Sequence, residues 1–99
     1  MAITRINEFS AAPDQADALG DFLASVIERI LDAPGCQSCQ LLRHHDDRTR
    51  FAIIEVWDNV ESHQAAASRI PPELLVQART LFAEPARGAY YDAVTNGAA

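Results

Sequence analysis

Residues 36–57 read CQSCQLLRHHDDRTRFAIIEVW, and the fold turns on whether this stretch is a metal or redox centre or a pair of strands. Cys36 and Cys39 form a Cys-x-x-Cys pair, and His44 and His45 follow it, offering two thiols and two imidazoles to one ion. Zinc needs such ligands within about 2.0–2.3 Å of a common centre. The second half of the stretch, RFAIIEVW, is rich in β-branched and aromatic residues, and the polar DDRT before it suits a hairpin turn. Its partner is then a strand over Cys36–His45, whose side chains alternate between faces. On strict alternation Cys36 and Cys39 point opposite ways, as do His44 and His45. Cys39 and His45 share a face but lie about 20 Å apart at roughly 3.3 Å per residue. A redox Cys-x-x-Cys normally opens a helix whose N-terminus lowers the thiol pKa; this pair follows one. The expected roles are two small packed thiols and two histidines near a hairpin mouth, with no metal site.

Working outward, Pro34-Gly35 closes a helical stretch in which Leu19, Phe22, Leu23, Val26, Ile27, Ile30 and Leu31 form one apolar stripe. Asp14, with Asp17 three positions later, is the expected helix start. Before it, ITRINEFS at 3–10 alternates as a strand, with Ile3, Arg5, Asn7 and Phe9 on one face. After Trp57, Asp58-Asn59 caps a short helix running to about Ser68. Pro72 suits the first turn of another helix bearing Leu74, Leu75, Ala78, Leu81 and Phe82. RGAYYDAV at 87–94 is the last strand, and TNGAA at 95–99 a frayed tail.

The order is β-α-β-β-α-β, an α+β ferredoxin-like arrangement with helices on one face of an antiparallel sheet. At 99 residues it makes one domain, 1–99, with its core over about 3–94. The strand at 51–57 carries Phe51, Ile53 and Trp57 on one face and Ala52, Ile54 and Val56 on the other. One helical layer covers only one of these faces. The expected cover for the other is a second copy of the chain, packed isologously as a homodimer.

Composition narrows the function. The formal net charge is −6, and the eight basic residues are all arginines without a cluster, so nucleic acid is not the expected partner. The absence of lysine excludes Schiff-base chemistry on this chain. No apolar run approaches the roughly 20 residues that cross a bilayer, so no membrane partner is expected. The start, MAITRINEF, lacks a signal-peptide layout, and the expected location is the cytoplasm.

With that order in place, PGCQSCQLLRHHDDRTRFAIIEVWDNVESHQAA resembles the signature region of the antibiotic biosynthesis monooxygenase family. A long helix ends in Pro-Gly-Cys, a strand and an Asp-containing hairpin follow, then a strand closing on Glu-x-Trp and a capped helix. The likeness runs from about Ile3 to Val94. It implies a dimeric ferredoxin-like α/β barrel. Characterised members of that family oxygenate quinols or polyketide anthrones without metal or flavin, and one branch binds and degrades haem. The haem branch carries an Asn on its first strand, a Trp ending its third, and a His ligand about nine or ten residues later. Asn7 and Trp57 match the first two, but Ala66 and Ala67 stand at the third. His63 lies six residues after Trp57, where polyketide-oxidising members can carry a Tyr.

The resemblance implies a cofactor-independent monooxygenase acting on a small electron-rich aromatic. The alternatives are a non-catalytic small-molecule binder of the same fold and, with its axial His missing, a haem protein. An oxygenase without metal or flavin draws its electrons from the substrate, and so needs a base, a donor to the phenolate and a dry pocket. His63 is the candidate base and Asn7 the candidate donor. Trp57, Phe9 and Phe22 are the candidate substrate-binding wall, around a cavity expected between sheet and helices. Asn7 needs a buried partner, Arg5 and Glu55 are read as a buried ion pair, and Tyr90 and Tyr91 as pointing to opposite faces.

Overall fold

The computed structural model describes residues 2–97. Of the expected tail, residues 98 and 99 lie outside the described residues. Strands β1 (Ile3–Ser10), β2 (Cys36–Arg43), β3 (Arg50–Trp57) and β4 (Arg87–Tyr91) and helices α1 (Ala16–Leu31), α2 (Val60–Ala67) and α3 (Pro72–Leu81) follow in the order β1-α1-β2-β3-α2-α3-β4. The sheet runs β2-β3-β1-β4, every neighbour antiparallel. This is the ferredoxin-like α+β arrangement, with the two helices α2 and α3 in the second connection. The sheet is open, with β2 and β4 at its edges.

Period-2 alternation sorts the residues of β3. Phe51, Ile53, Glu55 and Trp57 are buried, while Ala52, Ile54 and Val56 on the other face are only half-buried. The stripe of α1 lies on the buried face: Leu19 and Leu23 are sealed against Phe51 and Ile53, with Ala11 and Leu81 completing the core. The opposite face has no helix over it. Leu42 and Tyr91 are 39% and 52% exposed.

Three local expectations are corrected. Asp14 does not cap α1: it takes a left-handed conformation at φ 64°, the helix begins at Ala16, and Gln15 at the cap position makes no side-chain bond to it. Asp17 instead pairs with Arg43 at 3.1 Å. The last strand stops at Tyr91, so residues 92–94 lie outside it. Finally, β2 does not alternate strictly. A bulge between Cys36 and Ser38 inserts one residue, so that Cys36 pairs with Trp57, Ser38 with Val56 and Cys39 with Glu55. An extra residue restores the phase of the side chains. Cys36 and Cys39 therefore face the same side, that of Trp57 and Glu55, and not opposite sides.

The termini of the helices follow their sequence signals elsewhere. Asn59 caps α2 by accepting the Ser62 N–H at 2.8 Å, and Pro72 occupies the first turn of α3. Gly35 sits at φ +88° in the turn from α1 to β2, where its carbonyl accepts the Asp58 N–H at 2.8 Å. That bond ties the start of β2 to the exit of β3. No helix among the described residues is long and apolar enough to cross a membrane.

Candidate active site

The register brings one polar group into an otherwise apolar layer. Glu55 lies on the helix-facing side of β3 between Ile53 and Trp57, only 3% exposed. A carboxylate there costs several kcal/mol in lost hydration unless donors surround it, on the order given for buried ions. The strands supply the donors. Trp57 Nε1–H donates to Glu55 Oε1 at 2.9 Å, and Asn7 Nδ2–H donates to Oε2 at 2.8 Å.

Asn7 thus has its buried partner, and its amide orientation is fixed from both ends. Its Oδ1 accepts from Arg5 Nε–H at 3.1 Å, while its Nδ2 serves Glu55. The expected direct ion pair between Arg5 and Glu55 is replaced by this bridge, although the two residues are register partners. The reason is that the guanidinium leans away, over the ring of Tyr90 at 4.7 Å. Gly88, opposite Asn7 on β4, makes the room: a Cβ there would collide with the side chains of Arg5 and Asn7.

His63 completes the cluster from α2. Its ring stands edge-on to Trp57 and to Tyr90, with centroids 5.5 Å and 5.3 Å away. Nδ1 is 2.5 Å from the Tyr90 hydroxyl, and Nε2 is 3.9 Å from Glu55 Oε1. Burial, and then the charge of Arg5, hold the imidazole below its ordinary pKa. The tautomer that suits these partners is a neutral imidazole with its proton on Nε2, toward the carboxylate, and Nδ1 accepting the Tyr90 O–H. Burial pushes the Glu55 carboxyl above the usual carboxylate range, opposed by the Trp57 N–H, Arg5 and Asn7. Burial and then the charge of Glu55 push Cys39 up to about 12 and raise Cys36 as well. Both thiols face the site as neutral groups, the opposite of what nucleophilic or metal-binding sulfur requires.

The cluster unites Asn7, Trp57 and His63, three of the five candidate residues. Phe9 and Phe22 are elsewhere, packed on the apolar core, where Phe9 stacks against Phe82 at 5.5 Å. Sequence reasoning did not assign Glu55 and Tyr90 to this site. The signal for Glu55 was there, a charged residue in phase with Phe51, Ile53 and Trp57; Tyr90 carried no signal of its partner, which is 27 residues away. At the place where a cavity was expected, the His63 ring stands edge-on to Trp57. A cavity of about 410 Å³ opens near the hairpin, lined by Glu8, Leu42, His44 and Arg50 among others. His44 itself takes the hairpin's N–H groups, accepting at Nδ1 from Asp46 and Asp47. Among the described residues, no three of His, Cys, Asp or Glu converge as metal ligands do.

A half-buried histidine and tyrosine stand over a hydrogen-bonded polar layer, on a fold built as an open antiparallel sheet with one helical layer. The chain belongs to the antibiotic biosynthesis monooxygenase family, whose sequence profile matches residues 2–69 and so takes in every residue of the cluster except Tyr90. Solved structures share the fold across almost the whole chain. A mutant of SnoaB from Streptomyces nogalater, a cofactor-independent oxygenase, is 19% identical with a TM-score of 0.82, over 96% of this chain and 95% of that one. A candidate antibiotic biosynthesis monooxygenase from Nitrosomonas europaea is 21% identical with a TM-score of 0.86, over 94% and 90%. Another from Chloroflexus aurantiacus is 28% identical with a TM-score of 0.72, over 97% and 98%. A search of curated proteins returns no match.

The electrostatics give a direct prediction. A His63 pKa below that of the unfolded chain means that unfolding takes up a proton between the folded midpoint and about pH 6.5, so its contribution to stability is complete above about 6.5 and is lost as pH falls from there through the folded midpoint. In NMR titration His63 is expected to ionise below the ordinary imidazole range. Arg5→Met is expected to raise that midpoint only part of the way, because burial is the larger cause. A normal His63 midpoint in the wild type would contradict the geometry.

Proposed function

We propose that this chain is a cofactor-independent monooxygenase acting on a small electron-rich aromatic, a quinol or an anthrone. The observation that carries the proposal is the neutral imidazole of His63, held between the Tyr90 hydroxyl and the Glu55 carboxylate beside Trp57. Family membership supports it, and so does the activity named for SnoaB.

A quinol is inert toward oxygen until a hydroxyl proton is removed; its phenolate then supplies electrons to O₂. One oxygen atom enters the ring, the other leaves as water, and the quinol is oxidised to the hydroxyquinone. The protein's share is to remove the proton, hold the anion and exclude water. His63 is the base of this scheme. When it takes the proton, the imidazolium is 3.9 Å from a carboxylate whose other oxygen is already fixed by Asn7. Arg5 places positive charge at the same site, and Trp57 packs behind the His63 ring.

One observation favours a second reading, a non-catalytic small-molecule binder: the 410 Å³ cavity lies away from the cluster. Oxygen uptake with a panel of quinols and anthrones separates the two. The oxygenase consumes O₂ with at least one of them, and His63→Ala lowers that turnover by roughly 10², as loss of a general base does. Uptake with none, or a rate untouched by His63→Ala, would remove the reading or the residue respectively.

The partner of the uncovered sheet face is, in the same proposal, a second copy of the chain. Ala52, Ile54 and Val56, with Leu42 and Tyr91 beside them, form an apolar surface of the kind an isologous interface buries. Light scattering is expected to give a dimer at micromolar concentration. Ile54→Asp is expected to dissociate it, since the interface would bury an unpaired charge at a cost of several kcal/mol. A stable wild-type monomer would rule the dimer out.

A further inference from the structure

Both nitrogens of His63 face protein groups. Nδ1 meets the Tyr90 hydroxyl at 2.5 Å, and Nε2 faces the Glu55 carboxylate. With the proton on Nε2, toward Glu55, no lone pair of the imidazole is left for a substrate. From this we infer that the group meeting the substrate hydroxyl is Tyr90, with His63 behind it and Glu55 behind His63, so that the proton passes through Tyr90 to His63 and Glu55 supports the imidazolium, a Tyr90–His63–Glu55 chain. The inference rests on the monooxygenase reading for its substrate class, a phenol, but the chain can be tested without oxygen.

The geometry gives each member its part. Tyr90 is half-buried on the edge strand β4, where Arg87, Gly88 and Ala89 are exposed, so the site is approached over that strand. Its hydroxyl donates to neutral His63 and keeps its oxygen lone pairs for an incoming O–H. As the substrate proton moves to Tyr90 Oη, the tyrosine's own proton moves to His63 Nδ1. The products are the substrate phenolate and an imidazolium, and Tyr90 ends as it began, so charge and protons balance. Arg5, stacked on the Tyr90 ring, stabilises negative charge that builds on the phenol oxygen during the exchange. The ionisable groups facing His63 and Tyr90 from the surrounding strands are Arg5 of β1, Cys36 and Cys39 of β2, and Glu55 of β3. The two thiols are held neutral, so Arg5 and Glu55 set the field.

The probe is a nitronaphthol, whose phenolate absorbs in the visible and which oxygen does not attack readily. It is added at a pH below its own ionisation. Binding is followed separately by quenching of Trp57, the chain's single tryptophan. The wild type is expected to bind the dye with the phenolate band developed. Tyr90→Phe, which keeps the ring and removes only the hydroxyl, is expected to bind it with the band reduced about tenfold at saturation. In the unliganded wild type, ¹⁵N NMR is expected to find Nδ1 of His63 bare and Nε2 protonated. An equal band in Tyr90→Phe, no quenching or no band in the wild type, or a protonated Nδ1 would each overturn the chain. The two readings fail separately. A dye phenolate without oxygen uptake from any quinol keeps the chain and sinks the oxygenase. Uptake unchanged by Tyr90→Phe sinks the chain and leaves the oxygenase.

Discussion

The burial of one carboxylate organises this molecule. Glu55 sits where the alternation of β3 demands an apolar side chain, next to Ile53 and Trp57 and across from Cys39. Removed from water, it is tolerable only because β1 and β3 bring donors to both of its oxygens. Those donors are the residues that would otherwise have no reason to be polar. Asn7 faces inward beside Ile3 and Phe9 because Glu55 needs an N–H, and the indole of Trp57 is turned so that its nitrogen reaches back two residues. A well-packed apolar trio would stabilise the layer at least as well. What the carboxylate provides instead is a fixed negative field at the foot of α2.

That field stands beside His63. Its imidazole is driven to the neutral form by burial and by Arg5, yet a carboxylate stands 3.9 Å away, ready to stabilise it once protonated. A base that is neutral at rest and supported when charged is what proton abstraction near neutral pH requires. Arg5 has two uses: its Nε orients Asn7, and its guanidinium plane covers Tyr90. Gly88 is small because both of those side chains cross over it. The polar network, the edge strand and the short helix α2 are thus one unit, separate from the apolar core of Leu19, Leu23, Phe51 and Ile53.

Much of this was legible in the sequence. The alternation at 50–57, the 3.6-residue stripe at 19–31 and the cap at Asn59 gave the elements and their order, because each is a local pattern with a single geometric solution. The shared face of Asn7 and Trp57 followed from phase alone. What escaped was set by register and close approach. A one-residue bulge in β2 brought Cys36 and Cys39 to the same side, and nothing in CQSCQ marks it. Arg5 and Glu55 were read as a pair because their faces match, but which group lies between two side chains depends on how the guanidinium bends. The meeting of His63 with Tyr90 joins α2 to a strand beyond α3, a long-range contact that no periodicity encodes.

The central claim is that Glu55 is a buried carboxyl group whose proton affinity is raised by desolvation and held in check by Trp57, Arg5 and Asn7. A ¹³C NMR titration of the glutamate side-chain carboxyls, with Glu55→Gln identifying the resonance, measures this directly. The account predicts that Glu55 ionises clearly above the ordinary glutamate value of about 4.3. A midpoint at or below that value would contradict the account, since burial would then not outweigh the donors around the carboxylate.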